Sequence, residues 1–329
     1  MEKSIQQQNY FQEYAHCLLC PRKCAVNRMA KKTGVCGQTD EIKIARAALH
    51  MWEEPCISGS RGSGAVFFCG CALHCVFCQN ENIANGDTGK VISVERLAEI
   101  FLELQEQGAN NINLVTAGQF VPGIKVALEL AKDKGLILPI VYNSSAYESV
   151  ETIRSLAGYV DVYLPDLKYM DTTISAKYSH APDYFVRASA AIEEMVRQTG
   201  TLCFTDEQTK SSQLDVAEYQ IRSEAGEHLL MTQGVIVRHL LLPGCTSDSK
   251  AVIRYLLKTY GEQIFISIMN QYTPMPRMHA FPELDRKVSE AEYEAVIEDA
   301  IAHGIENGFI QEGDVAKESF IPDFDGTGV

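Results

Sequence analysis

Cys71, Cys75 and Cys78 stand at C-x3-C-x2-C spacing in the stretch CGCALHCVFCQN, residues 69–80. Thiols this close together are metal ligands or reduced side chains. The chain has 11 cysteines in 329 residues, most of them within its first 80. That clustering favours metal over the disulfide framework of a small secreted domain. A structural zinc site closes with four protein ligands, and an ordinary cubane takes four cysteines, one per iron. Three thiolates on a [4Fe–4S] cluster leave one iron without a protein ligand, an open position for a substrate or cofactor. The bland alternative is a zinc knuckle that borrows Cys69, or buried reduced thiols. Two features make the pattern specific: Phe77 before the last cysteine, and the apolar run GAVFF (64–68) ahead of the loop.

A second group, Cys17, Cys20, Cys24 and Cys36, reads C-x2-C-x3-C-x11-C. Four thiolates suffice for a zinc site or for a second cubane, and the residues leave both open. Zinc would make the module a structural knuckle; a cluster would make it an electron relay or a protector of the main site. Arg22, Lys23, Arg28, Lys31 and Lys32 offset the charge of a thiolate-ligated metal. Cys56 has no assigned part, Cys69 shares a strand face with Cys71, and Cys203 and Cys245 read as reduced thiols. Net charge is −14, which argues against nonspecific binding to nucleic acid or a membrane surface. Residues 1–50 carry eight Lys and Arg against four Asp and Glu, so the remainder is net −18.

Past Asn80, amphipathic helices alternate with short apolar strands. SVERLAEIFLELQEQGA (93–109) has Ser93 as a cap and Gly108 as a stop. Strands follow at NINLVT, LPIVYNSS, VDVYLPDLK, GVIVRHLLLPG and IFISIMNQY, each separated from the next by a helical pattern. The last long helix, SEAEYEAVIEDAIAHG, is followed by GFIQEG. Counting GAVFF, six or seven β/α units predict a parallel sheet. The fold class expected is α/β, a partial (β/α)6-type barrel over residues 51–329. A small cysteine-rich metal-binding module at 1–50 precedes it. A polar segment at 201–233 breaks the rhythm and reads as an inserted loop or flap. No apolar run approaches the roughly 20 residues of a membrane helix, and MEKSIQQQNYFQEYAH lacks an apolar signal core. A cytoplasmic protein without membrane or nucleic-acid partners is expected.

The triad after its strand resembles the radical S-adenosylmethionine superfamily. Further stretches, among them PIVYNSSAYESVETIRSLAGYVDVYLPDLKYMD, GVIVRHLLLPG and SIMNQYTPMP, are similar to its branch related to pyruvate formate-lyase activating enzyme. The similarity spans most of residues 17–325 and breaks at 201–230. It implies a [4Fe–4S] cluster on Cys71, Cys75 and Cys78, with S-adenosylmethionine on the unligated iron. Reduction then yields a 5′-deoxyadenosyl radical that takes hydrogen from a substrate.

The resemblance also implies site residues. Thr116 and Gly118 fall where the cofactor's amino group is met, although the family's usual Gly-Gly-Glu is absent there. Asn143 and Ser145 close the third strand and Asp166 and Lys168 the fourth, suiting the ribose and the carboxylate. Leu242, Pro243 and Gly244 match a turn near the adenine. One of Arg238 and His239 must face the barrel interior; Gln271 and Tyr272 end the next strand; Glu53 and Glu54 are partner contacts or a solvated turn. The function implied is hydrogen abstraction from a glycine of a glycyl radical enzyme. The alternatives are radical modification of another peptide or small molecule, and a non-catalytic electron-transfer iron–sulfur protein. A protein or peptide substrate is expected, with an electron donor such as flavodoxin or ferredoxin.

Overall fold

The computed structural model describes residues 11–209, 213–310 and 322–329. Residues 1–10 and the part of GFIQEG beyond Ile310 lie outside the described residues. In chain order the elements are β1 (Ile42–His50), α1 (Pro55–Ser58), β2 (Ser63–Phe68), α2 (Glu81–Ala84), β3 (Lys90–Ile92), α3 (Val94–Glu106), β4 (Ile112–Val115), α4 (Val121–Asp133), β5 (Ile140–Ser144) and α5 (Val150–Ser155). There follow β6 (Val162–Pro165), α6 (Thr172–Ser179), α7 (Tyr184–Thr199), β7 (Cys203–Asp206), α8 (Val216–Glu224), β8 (Leu229–Leu240), α9 (Thr246–Tyr260), β9 (Phe265–Met269), α10 (Glu290–Ala302) and β10 (Gly308–Ile310).

Strands β2, β4, β5, β6, β8, β9 and β10 lie side by side and parallel. Every residue of β2, β4, β5, β6 and β9 is buried, as a parallel sheet covered by helices requires. Each crossover carries helix, so the predicted partial (β/α)6-type barrel stands, with β10 as a seventh parallel strand. The sheet does not close. Its order runs β10-β9-β8-β6-β5-β4-β2-β1-β3.

Local signals place the helices. The Ser93 hydroxyl accepts the Arg96 amide at 3.1 Å, capping α3, whose Leu97, Phe101 and Leu104 are buried. Such a cap contributes about 1 kcal/mol. The antiparallel strands depart from the expected all-parallel β/α pattern. β1 joins β2 and β3 at one edge of the sheet, although residues 42–50 fall within the stretch read as the N-terminal module. In the polar stretch 201–233, β7 pairs antiparallel with β8, and Asp215 and Glu218 form a capping box on α8. Phe204 stacks on Tyr219 at 4.1 Å between ring centres. With Leu202, Leu214, Leu229 and Met231 they form a buried cluster that packs this excursion on the sheet. Among the described residues no helix is long and apolar enough to cross a membrane.

Candidate functional site

The C-terminal ends of the parallel strands surround a cavity of about 610 Å³, the end where β/α folds hold their chemistry. Cys71, Cys75 and Cys78 line it, as do Thr116, Asn143, Ser145, Asp166 and Lys168.

The cysteine loop follows β2 and is held by its backbone. Cys78 N–H donates to Cys75 O at 3.1 Å, and Val76 N–H to Tyr178 O at 2.8 Å. Arg22 donates to Ala72 O at 2.8 Å, and Arg277 donates to the carbonyls of Val76 and Cys78. Gly70 opens the loop at φ +86°; a Cβ there would stand 2.6 Å from Cys36 O, so only glycine lets the N-terminal module approach this closely.

These thiols suit an iron–sulfur cluster. The Leu73 amide donates to Cys71 Sγ at 3.4 Å and the Ser179 hydroxyl to Cys75 Sγ at 3.0 Å, the donors a thiolate needs. Burial and the neighbouring thiols push Cys78 up to about 12; burial likewise pushes Cys75 up to about 11, against the pull of Lys168. Bare thiols packed in this way resist ionisation, and a cationic metal centre is what would offset their charge.

A polar network occupies the cavity wall below the cysteines. Lys168 Nζ lies 2.7 Å from Asp166 Oδ2. Arg238 donates to Asp166 at 3.0 Å, Glu53 at 3.2 Å and Asn143 Oδ1 at 2.6 Å. Asn113 and Asn143 both donate to Glu53 Oε1. Burial pushes the Asp166 carboxyl up, but the charges of Lys168 and Arg238 outweigh it and hold it below the usual range. Burial raises Glu53 despite Arg238. Thr116, at φ +58°, is a β-branched residue in left-handed backbone, a strain of about 1–3 kcal/mol of the kind that clusters at functional sites.

Arg238 therefore faces the interior. His239 points away, buried, with Nδ1 donating to Leu167 O at 2.7 Å and, among the described residues, no partner on Nε2. Burial drives its pKa down to about 4. The unfolded imidazole takes up a proton near its ordinary value of 6.5 and the folded one only near 4, so stability falls as pH drops through that window. The expected loss is at most about 3 kcal/mol. Urea unfolding between pH 7 and pH 4 checks it: His239→Gln should lose this part of the acid sensitivity, and an unchanged slope refutes the assignment.

Other residues fall outside the cavity wall. Gly118 is buried beside Glu148, whose carboxylate lies 2.7 Å from where a Cβ would be. Pro243 and Gly244 are not among the lining residues, and the Gly244 amide donates to Glu292 at 2.7 Å. Gln271 lines the cavity, whereas Tyr272 is buried with its hydroxyl on Leu284 O. Cys69 Sγ turns to Thr88 O at 3.2 Å, and Cys56 is buried in a separate apolar cluster. Glu53 is a wall residue and not a solvated turn. His50, Trp52, Phe67 and Phe309 also line the cavity; nothing in the pattern around them marks a site.

The N-terminal cysteines are near enough to influence one another electrostatically. Cys17 N–H donates to Val26 O and Ala25 N–H to Cys17 O, both at 3.0 Å, and Lys23 N–H donates to Cys20 O. Burial pushes Cys20 up to about 12, with the charges of Cys36 and Cys17 contributing. Burial also raises Cys36, beside Cys17 and Cys24. The Val35 amide reaches Cys24 Sγ at 3.3 Å. Among the described residues no three Cys, His, Asp or Glu side chains are close enough to ligate a single ion as placed. The module docks on the loop of Cys71, Cys75 and Cys78 through Arg22 and through His74 Nε2, 2.8 Å from Val35 O.

Residues 65–211 match the model of the Radical SAM superfamily. An uncharacterised protein of Methanocaldococcus jannaschii is 25% identical over 296 residues, covering 87% of this chain and 74% of the relative. Among solved structures, Streptococcus suis SuiB bound to S-adenosylmethionine superposes with a TM-score of 0.47 at 12% identity, over 75% of this chain and 49% of that one. Methylornithine synthase (PylB) gives 0.42 at 14%, over 71% of this chain and 60% of that one. The chain spans about half the length of SuiB.

Proposed function

We propose that this protein is a radical S-adenosylmethionine enzyme whose [4Fe–4S] cluster is held by Cys71, Cys75 and Cys78. One observation carries the reading: three thiols, with no fourth cysteine on the wall, share a cavity with the polar ends of the parallel strands. Cluster and cofactor together would supply reductive cleavage of the sulfonium, giving methionine and a 5′-deoxyadenosyl radical that abstracts hydrogen.

The chain's own residues orient the cofactor and the substrate. Lys168, fixed by Asp166, presents its ammonium to the cofactor carboxylate. Asn143 and Ser145 offer hydrogen bonds to the ribose, and Thr116 stands on the wall where the amino group would lie.

The substrate proposed is a glycine of a protein partner, left as a glycyl radical; another peptide or a small molecule is the alternative. A polypeptide is favoured because Trp52, after β1, and Phe309, in β10, bring both flanks of the open sheet to one cavity. Flavodoxin or ferredoxin would deliver the electron in the cytoplasm. The four N-terminal cysteines, in the module at 1–50, would hold a separate zinc ion or second cluster.

Reconstituted protein under dithionite should release 5′-deoxyadenosine, measured by chromatography. None, even with lysate offered as substrate, would leave the electron-transfer reading instead. Lys168→Ala should weaken S-adenosylmethionine binding roughly ten- to a hundredfold, because a charged hydrogen bond is worth about 1.5–3 kcal/mol. Iron content should not change; calorimetry and iron analysis read the two separately.

A further inference from the structure

We propose that Tyr169 and Ser179 form a hydrogen-bond relay that raises the reduction potential of the cluster on Cys71, Cys75 and Cys78; the relay rests on the cluster reading above. Ser179 is the last residue of α6, and Tyr169 follows Lys168 in the loop after β6. Ser179 is 0% exposed and Tyr169 1%. The Ser179 hydroxyl lies 3.0 Å from Cys75 Sγ and 2.8 Å from the Tyr169 hydroxyl.

The direction of these bonds follows from the sulfur. A cysteine that ligates iron is a thiolate and only accepts. Ser179 therefore donates its single proton to Cys75, and its oxygen accepts from Tyr169. Each bond polarises the next toward the sulfur, and the buried setting strengthens both. A serine in a last helical turn commonly bonds back to its own helix or to water. Here the hydroxyl points out of α6 at a residue 104 positions earlier in the chain.

The relay is held rigidly. Val76 N–H donates to Tyr178 O at 2.8 Å, tying the cysteine loop to the end of α6. His180 ends that helix in left-handed backbone at φ +51°. Arg22 then donates to Ser179 O, His180 O and Ala72 O, clamping both segments from the N-terminal module. The Tyr169 ring packs edge-on against Tyr184 at 5.3 Å, and the Tyr184 hydroxyl bonds the backbone of Ser145, Asp166 and Lys168. The scaffold that sets the cofactor-facing side chains thus also sets the relay.

Reduction places one more electron on the cluster and its ligands. A donor at the sulfur stabilises that added charge more than it stabilises the oxidised state, so it raises the potential.

The test is a redox titration with dithionite and mediators, followed by electron paramagnetic resonance, on whole reconstituted protein. Ser179→Ala should shift the reduction equilibrium about tenfold, a fall of about 59 mV for one electron. Tyr169→Phe should move it less and in the same direction. The double variant should match Ser179→Ala, since Tyr169 acts only through Ser179. Iron and sulfide analysis runs beside each titration. A wild type that takes up no cluster overturns the cluster reading itself. Loaded Ser179→Ala at the wild-type potential overturns the relay alone. If Ser179→Ala fails to load, Tyr169→Phe decides, because it leaves the serine in place: a wild-type potential there overturns the relay.

Discussion

Changing Cys71, Cys75 and Cys78 together to Ala is expected to remove the iron and sulfide of the proposed cluster completely and to abolish 5′-deoxyadenosine formation. The fold should survive the change. The loop is anchored through backbone groups, with Arg22 on Ala72 O, Arg277 on the Val76 and Cys78 carbonyls, and Val76 N–H on Tyr178 O, and none of these uses a thiol. Relieving three crowded, partly buried sulfurs of their need for a cation removes a cost of the metal-free state. The same preparation reports on the N-terminal module. If Cys17, Cys20, Cys24 and Cys36 bind metal independently, the triple variant keeps zinc or about four irons per chain. Iron and sulfide equal to wild type would refute the catalytic assignment, and a variant without any metal would refute the separate site. Circular dichroism in parallel shows whether the chain stays folded.

The second large effect is expected at Arg238. Its guanidinium joins Asp166, Glu53 and Asn143, and its side chain is 16% exposed. Arg238→Met keeps much of the volume and removes the charge. Asp166 retains Lys168, but Glu53 is left in the wall with only the amides of Asn113 and Asn143. Breaking a buried pair on one side costs about 3–5 kcal/mol, and the urea unfolding midpoint should fall accordingly. Glu53→Gln added to Arg238→Met should recover part of the loss, because the orphaned charge is then absent. Additive destabilisation by the two changes would show that the ion pair is not what couples them.

Much of this molecule was legible in advance, and the reasons are local. Thiol count and spacing are chain properties, so the triad and the N-terminal four could be named from sequence. A parallel strand buried on both faces is a mostly apolar run, and VYLP (162–165) and INLV (112–115), with Asn113 its one polar residue, read that way. Ser93 announces a helix because the cap lies within one turn of what it caps. The antiparallel strands were harder. β1 carries Arg46 and His50 among its apolar residues, and β7 lies in a polar segment, so neither showed the expected pattern.

What the sequence determined by itself was the chemistry on offer: three closely spaced thiols, polar residues at strand ends, and a β/α rhythm to place them. The tertiary structure decided which of these groups meet. Strand alternation puts Arg238 and His239 on opposite faces, but only the pairing of β8 with β6 and β9 says which face is the lumen. Gly118, Pro243 and Gly244 sit near strand ends yet outside the cavity wall, because the turns that carry them pack on Glu148 and Glu292. Glu53 meets Arg238 across 185 positions and Ser179 meets Cys75 across 104. Local propensity acts over a turn or a strand. Contacts of that span exist only once the sheet has assembled and its buried polar groups have found the partners that burial requires.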